Sequence, residues 1–154
     1  MSTSRRVLLL SGPNLDLLGE REPEIYGHET LDDLVARATA AGERHGLAVE
    51  HLQSAAEPDL VRAVHEARST TEAIVVNAGA LTHYGWSLHD ALAAYPGVVV
   101  ELHLSNPVSR EAWRHTSVVA PVANAVIAGL GGDGYELAMD AVARLLARAP
   151  QRPR

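Results

Sequence analysis

Five short strand-like stretches, at 5–10, 47–52, 73–76, 98–104 and 125–128, most of them apolar and the second alternating, intersperse along the chain with longer stretches whose apolar residues recur at helical spacing. No other feature restricts the fold as much. Short apolar runs bounded by Gly, Pro and Asn read as strands, and a 3.6-residue apolar period reads as helix. Repeated strand–helix–strand alternation implies a parallel sheet, covered on both faces through right-handed crossovers.

The helical stretches can be placed individually. Thr30 is a good N-cap with Asp33 at the third helical position, and Leu31, Leu34, Val35, Ala38 and Ala41 then share one face until Gly46. Pro58 opens a second helix with Leu60, Val61, Val64 and Ala67 inward. A third runs from about Gly85 to Ala94, a short one lies around Arg110 to Trp113, and a last one spans Gly134 to Ala149. That last helix carries Leu137, Ala138, Ala141, Val142, Leu145 and Leu146 as its apolar set. In the second strand, Leu47, Val49 and Leu52 are read against Ala48, Glu50 and His51. The expected fold is α/β: a flavodoxin-like five-stranded parallel sheet, order 2-1-3-4-5, with helices on both faces. A length of 154 residues favours one domain, over 1–149, and 150–154 reads as a disordered tail.

Composition removes several functions. The formal charge is −6 and no basic run precedes the C-terminal arginines, so nucleic acid is not an expected partner. No apolar stretch reaches the length of a membrane span, and the N-terminus lacks a cleavage-site pattern, which points to a cytoplasmic protein. There is no Cys, hence no thiolate nucleophile or zinc–thiolate site. All thirteen basic residues are Arg, so no lysine is available for a Schiff base or a Walker-type phosphate contact. Eight His residues raise the question of a metal, but no H-E-x-x-H occurs and no His pair stands beside a carboxylate at ligand spacing; no metal is expected.

In such sheets ligands bind beyond the carboxyl ends of the strands. The first strand runs into Gly12-Pro13-Asn14 and a long loop holding Arg21 and Tyr26 between Gly19, Pro23 and Gly27. Loops of that length in compact domains are usually functional or disordered. The third strand ends at Asn77-Ala78-Gly79, followed by Leu81-Thr82-His83, and the fourth carries Glu101, His103 and Ser105 on one face, because strand side chains alternate. His103 reads either as a general acid oriented by Glu101 or as a satisfied structural histidine. His83 reads as a ligand donor or a loop histidine, and Asn77 as a contact or a turn residue. Arg110 and Arg114 are one helical turn apart, as a pair of binding groups or a solvated face. Gly129-Leu-Gly131-Gly-Asp-Gly134 matches a dinucleotide pattern, yet it follows the last strand, so a tight turn opening the final helix is the better reading.

Taken together, these motifs resemble the type II 3-dehydroquinate dehydratases. The likeness runs from about Val7 to Leu146 through G-P-N-L-x-x-L-G-x-R-E-P-x-x-Y-G, N-A-G-x-L-T-H, E-L-H-L-S-N-x-x-x-R-E-x-x-R-H and G-x-G-x-x-G-Y. The resemblance implies dehydration of 3-dehydroquinate to 3-dehydroshikimate without metal, cofactor or imine, by anti elimination through an enolate. That reaction serves the shikimate pathway of aromatic amino acid biosynthesis or quinate catabolism.

By the same resemblance Tyr26 is the base and Arg21 favours its phenolate; a free tyrosine costs roughly 4 kcal/mol to ionise at pH 7. Asn14 stabilises the enolate and His103, oriented by Glu101, protonates the leaving hydroxyl. Asn77, Leu104 and Ser105 take the substrate carboxylate. His83 and Arg114, with Asp90 from a neighbouring subunit, hold ring hydroxyls; Arg110 orders the site or its lid. The implied assembly is a homo-oligomer, a dodecamer of trimers.

Two departures stand out: Ser11 where the family often has Asn, and Tyr84-Gly85-Trp86, where Gly85 lacks a hydroxyl many relatives carry. The second change bears on hydroxyl recognition or on helix capping. The sheet also hosts flavin carriers and receiver domains. A flavin carrier needs a Ser/Thr/Gly-rich phosphate loop after the first strand, and a receiver needs a lysine near the last; neither is present. A degenerate relative acting as a binding or assembly protein is the non-enzyme alternative.

Overall fold

The structure, a computed structural model, describes residues 4–148. The tail at 150–154 and Ala149, expected to end the last helix, lie outside the described residues. The strands are β1 (Arg5–Ser11), β2 (Leu47–Gln53), β3 (Ala73–Asn77), β4 (Val98–His103) and β5 (Ala125–Ala128). The helices are α1 (Pro23–Tyr26), α2 (Leu31–Arg44), α3 (Glu57–Thr70), α4 (Trp86–Ala94) and α5 (Asp133–Ala147). All strand pairs are parallel and the order is β2-β1-β3-β4-β5, as the sequence implied.

Each sheet face builds its own core. Val7, Leu9, Val75, Val100 and Leu102 face α2 and α5; Leu8, Leu10, Ile74, Val76 and Val99 face α3 and α4. Central strands buried on both sides explain the unbroken apolar runs. Leu9, Leu34, Leu60, Leu88 and Leu102 are almost wholly buried, and each contributes about 1.5–3 kcal/mol. Thr30 and Asp33 form a reciprocal capping box at the start of α2, and Gly46 turns the chain at φ 71°.

Four local expectations need correction. Between β4 and β5 there is no α-helix around Arg110 to Trp113; the connection is made of short 3-10 turns at Pro107–Ser109, Ala112–Arg114 and Ala120–Val122. Prolines at the start of two of these turns remove backbone donors, and the segment has no apolar stripe to dock a longer helix. The loop after β1 is not wholly irregular, since Pro23–Tyr26 makes one helical turn. In β2 the strict period of two sends His51 inward and Leu52 outward, where it is 37% exposed. In α5 Leu137 faces solvent at 41% exposure while Tyr135 and Met139 are buried.

Candidate active site

The carboxyl ends of β1, β3 and β4 converge on an open cleft of about 530 Å³. Its floor is built from main chain. Gly12 N–H donates to the Asn77 carbonyl at 2.8 Å, and Ser11 of β1 stands opposite Asn77 of β3. A Cβ on Gly12 would overlap the Ala78 carbonyl, and one on Gly79 would lie 2.8 Å from the Pro13 carbonyl. Only glycine lets the two strand ends approach this closely. Beyond them Asn14 adopts the left-handed conformation at φ 68°, which Asn tolerates better than other side-chain-bearing residues. Asn77 is held from both ends: its amide donates to the Tyr135 hydroxyl at 3.4 Å, and its oxygen accepts the Gly79 N–H at 3.3 Å. Burial pushes the Tyr135 hydroxyl up to about 12, so this tyrosine stays a neutral phenol.

The β4 wall carries the buried pair expected from the strand period. His103 Nε2–H donates to Glu101 Oε2 at 2.5 Å, and both side chains are almost completely buried. Glu101 also accepts the Ser117 hydroxyl, at 2.9 and 3.1 Å from its two oxygens. Ser117 Oγ in turn accepts N–H groups from Val119 and Ala120. The carboxylate that would otherwise be isolated in the interior is thus held by donors on two sides, which burial of a charge requires. Arg110 reaches Ser105 Oγ at 3.3 Å.

The opposite wall comes from the β1–α2 loop. Two guanidinium groups lie over the Tyr26 ring, Arg21 at 4.9 Å and Arg110 at 5.1 Å from its centroid. Glu22, between Arg21 and the α1 turn, has a positive φ of 37°, and Asn14 and Glu22 are the only side-chain-bearing residues with positive φ among those described. On a third side, His83 Nδ1–H donates to the Thr116 carbonyl at 2.7 Å and its ring meets the Trp113 indole edge-on at 5.3 Å. Desolvation lowers the proton affinity of His83 below the ordinary histidine value.

Known proteins of similar sequence and shape point one way. The family model described as dehydroquinase class II matches residues 5–143. The chain belongs to the class II dehydroquinase family. It is 55% identical over 138 residues to the 3-dehydroquinate dehydratase 1 of Corynebacterium efficiens, covering 90% of this chain and 91% of that one. The 3-dehydroquinate dehydratase of Aeromonas hydrophila is 46% identical over 149 residues, 97% of this chain and all of that one. The crystal structure of the type II dehydroquinase from Propionibacterium acnes superposes with a TM-score of 0.88 at 42% identity, covering 94% of this chain and 99% of that one.

In this class II dehydroquinase chain the cleft gathers Asn14, Arg21, Tyr26, Asn77, His83, His103, Leu104, Ser105, Arg110 and Arg114. Glu101 lies behind His103 rather than on the surface of the cleft. Asp90 is not among the lining residues; its side chain on α4 is 86% exposed, beside His89. The departure at Gly85 is a matter of capping: α4 has no side-chain cap of its own, and Glu57 from α3 accepts the Leu88 N–H at 3.1 Å instead. At the other departure, Ser11 Oγ is buried against His51 Nε2 at 2.9 Å.

Tyr135, Ser117, Trp113 and Glu57 escaped the sequence reading. Tyr135 was visible as the residue closing the last glycine motif, and Ser117 as a hydroxyl following the second Arg of the fourth-strand motif. Trp113 and Glu57 carry no local signal of their partners.

Proposed function

We infer that this chain is a type II 3-dehydroquinate dehydratase, a hydro-lyase converting 3-dehydroquinate to 3-dehydroshikimate, carried by one catalytic domain over 1–149. Tyr26 as phenolate removes the C2 proton, and the electron pair passes to the carbonyl oxygen as an enolate. Asn14 stabilises that oxygen directly or through a water. Collapse of the enolate expels the C1 hydroxyl, which takes a proton from His103 and leaves as water. Glu101 fixes the imidazole by holding Nε2, and Ser117 fixes Glu101. Asn77 with Leu104 and Ser105 receives the substrate carboxylate, while His83 and Arg114 hold ring hydroxyls. Arg110, tied to Ser105 and over the Tyr26 ring, links the carboxylate end to the base. The loop from Gly12 to Gly27 closes over substrate and excludes water.

The observation that carries this reading is one cleft with two matched ends. A phenol with two guanidinium groups near its ring lines the same cleft as an imidazole backed by a buried carboxylate. With no lysine in the chain, a lysine imine is excluded. The proposal includes no metal or organic cofactor, a cytoplasmic location and a role in the shikimate pathway. It also includes a dodecamer of trimers in which Asp90 completes a neighbour's site, a role its exposure permits. Mixing the protein with 3-dehydroquinate tests the activity: absorbance should grow at the ultraviolet band of the enone product. A flat trace at high enzyme concentration would leave the binding-protein alternative.

A further inference from the structure

We propose that Trp113 is a positioning residue of this site: one indole holds both the His83 imidazole and the Arg114 guanidinium in the arrangement that receives a hydroxyl-bearing substrate. The proposal rests on the dehydratase reading above, because it assigns Trp113 a task within that site. Trp113 does not line the cleft, and at 51% exposure it belongs to neither core. Its contacts are nevertheless specific. The Arg114 guanidinium carbon stacks 4.0 Å from the indole centroid, a cation over a π face. The His83 ring meets the same indole at 5.3 Å and 88°, the edge-to-face geometry aromatic quadrupoles prefer.

The two clamped side chains offer complementary hydrogen-bonding chemistry. A carbonyl can only accept, so His83 must donate Nδ1–H to Thr116, which leaves Nε2 as an acceptor in the neutral ring. Burial lowers the proton affinity of His83, which keeps that lone pair available near neutral pH. Arg114 can only donate, and its ε nitrogen is already bound to Glu111. An acceptor and a donor held side by side suit a hydroxyl, which gives one hydrogen bond and takes another. An ether or a ketone satisfies only the donor. Both side chains sit on the irregular β4–β5 connection or on the short 3-10 turn after β3, where secondary structure does little to restrain them. The indole supplies the restraint the backbone lacks.

Steady-state kinetics of the full chain on 3-dehydroquinate test this, with Trp113→Leu and Trp113→Phe beside wild type. The expected result for Trp113→Leu is a KM raised about tenfold, equivalent to about 1.4 kcal/mol of binding. Its kcat should stay within about twofold and its Tm within a few degrees of wild type. Trp113→Phe should recover KM to within about threefold, since a phenyl ring keeps both a face and an edge. An unchanged KM in Trp113→Leu, with wild type active, overturns the proposal alone. A joint fall of kcat, KM quality and Tm that Phe does not rescue also overturns it, in favour of a packing role. Absence of turnover in wild type defeats the dehydratase reading and this inference together.

Discussion

Tyr26 and Arg21 are only half-buried, and their loop is anchored in the core by Leu15 and Leu18, with Tyr26 packed at the core's edge, so substitutions at 21 and 26 should leave the fold intact. Tyr26→Phe is expected to lower kcat by about 100-fold or more, the usual cost of losing a general base, with an unchanged melting temperature. Arg21→Ala should lower kcat by orders of magnitude as well. Arg110 remains over the ring in that variant, so a double substitution with Arg110→Ala should cost more than either change alone. Near-normal kcat in Tyr26→Phe would remove it as the base. Because the chain has no lysine, borohydride added during turnover should not inactivate the enzyme, and mass spectrometry should find no reduced adduct. The residues legible from the sequence were those whose chemistry stands in a strand-end motif: Asn14, Asn77, His103. Ser117 and Trp113 act through contacts that cross an aperiodic connection, where spacing says nothing about neighbours.

Elements are held by side chains borrowed from other elements. Helix α4 begins at Trp86 behind an N-cap glycine, Gly85, and its free donor at Leu88 is met by Glu57 of α3. Glu57→Ala should cost about 1 kcal/mol, a fall of about 2–4 °C in Tm, comparable to losing an N-cap. Adding Gly85→Ser should not repair it, because a Cβ there would lie 2.7 Å from the Leu81 carbonyl. Arg37 of α2 joins Glu29, just beyond the loop that holds Arg21 and Tyr26, to Asp133 and Glu136 of α5. Those bonds raise its proton affinity, and the cluster ties the loop's exit to the helical layer formed by α2 and α5. Helix α2 was legible to within a residue because a capping box and an apolar stripe agree. The β4–β5 crossover was not, because a polar segment with arginines one turn apart looks helical until its prolines and missing apolar face are counted.

For the whole molecule, acid should weaken the fold. Burial lowers the proton affinity of His51 and His83 below the ordinary 6.5. The unfolded chain therefore binds protons that the folded chain resists. Stability is complete above about pH 6.5 and declines as pH falls through the lower folded-state values of these two groups. Urea midpoints should be lower at pH 5.5 than at pH 7.5, and His51→Phe should flatten part of that difference. An equal slope in the variant would exclude His51 as a source. The strand order was legible because each parallel crossover has one hand and central strands show unbroken apolar runs; the outward turn of Leu52 was not, since composition there hid the register. The close approach of the β1 and β3 ends at Gly12 and Gly79 has a consequence for redesign. A floor made of touching backbones cannot be retuned by exchanging side chains, so altered specificity has to be sought on the walls, at positions such as His83 and Arg114. The floor is the part of this enzyme that mutation can break but not edit.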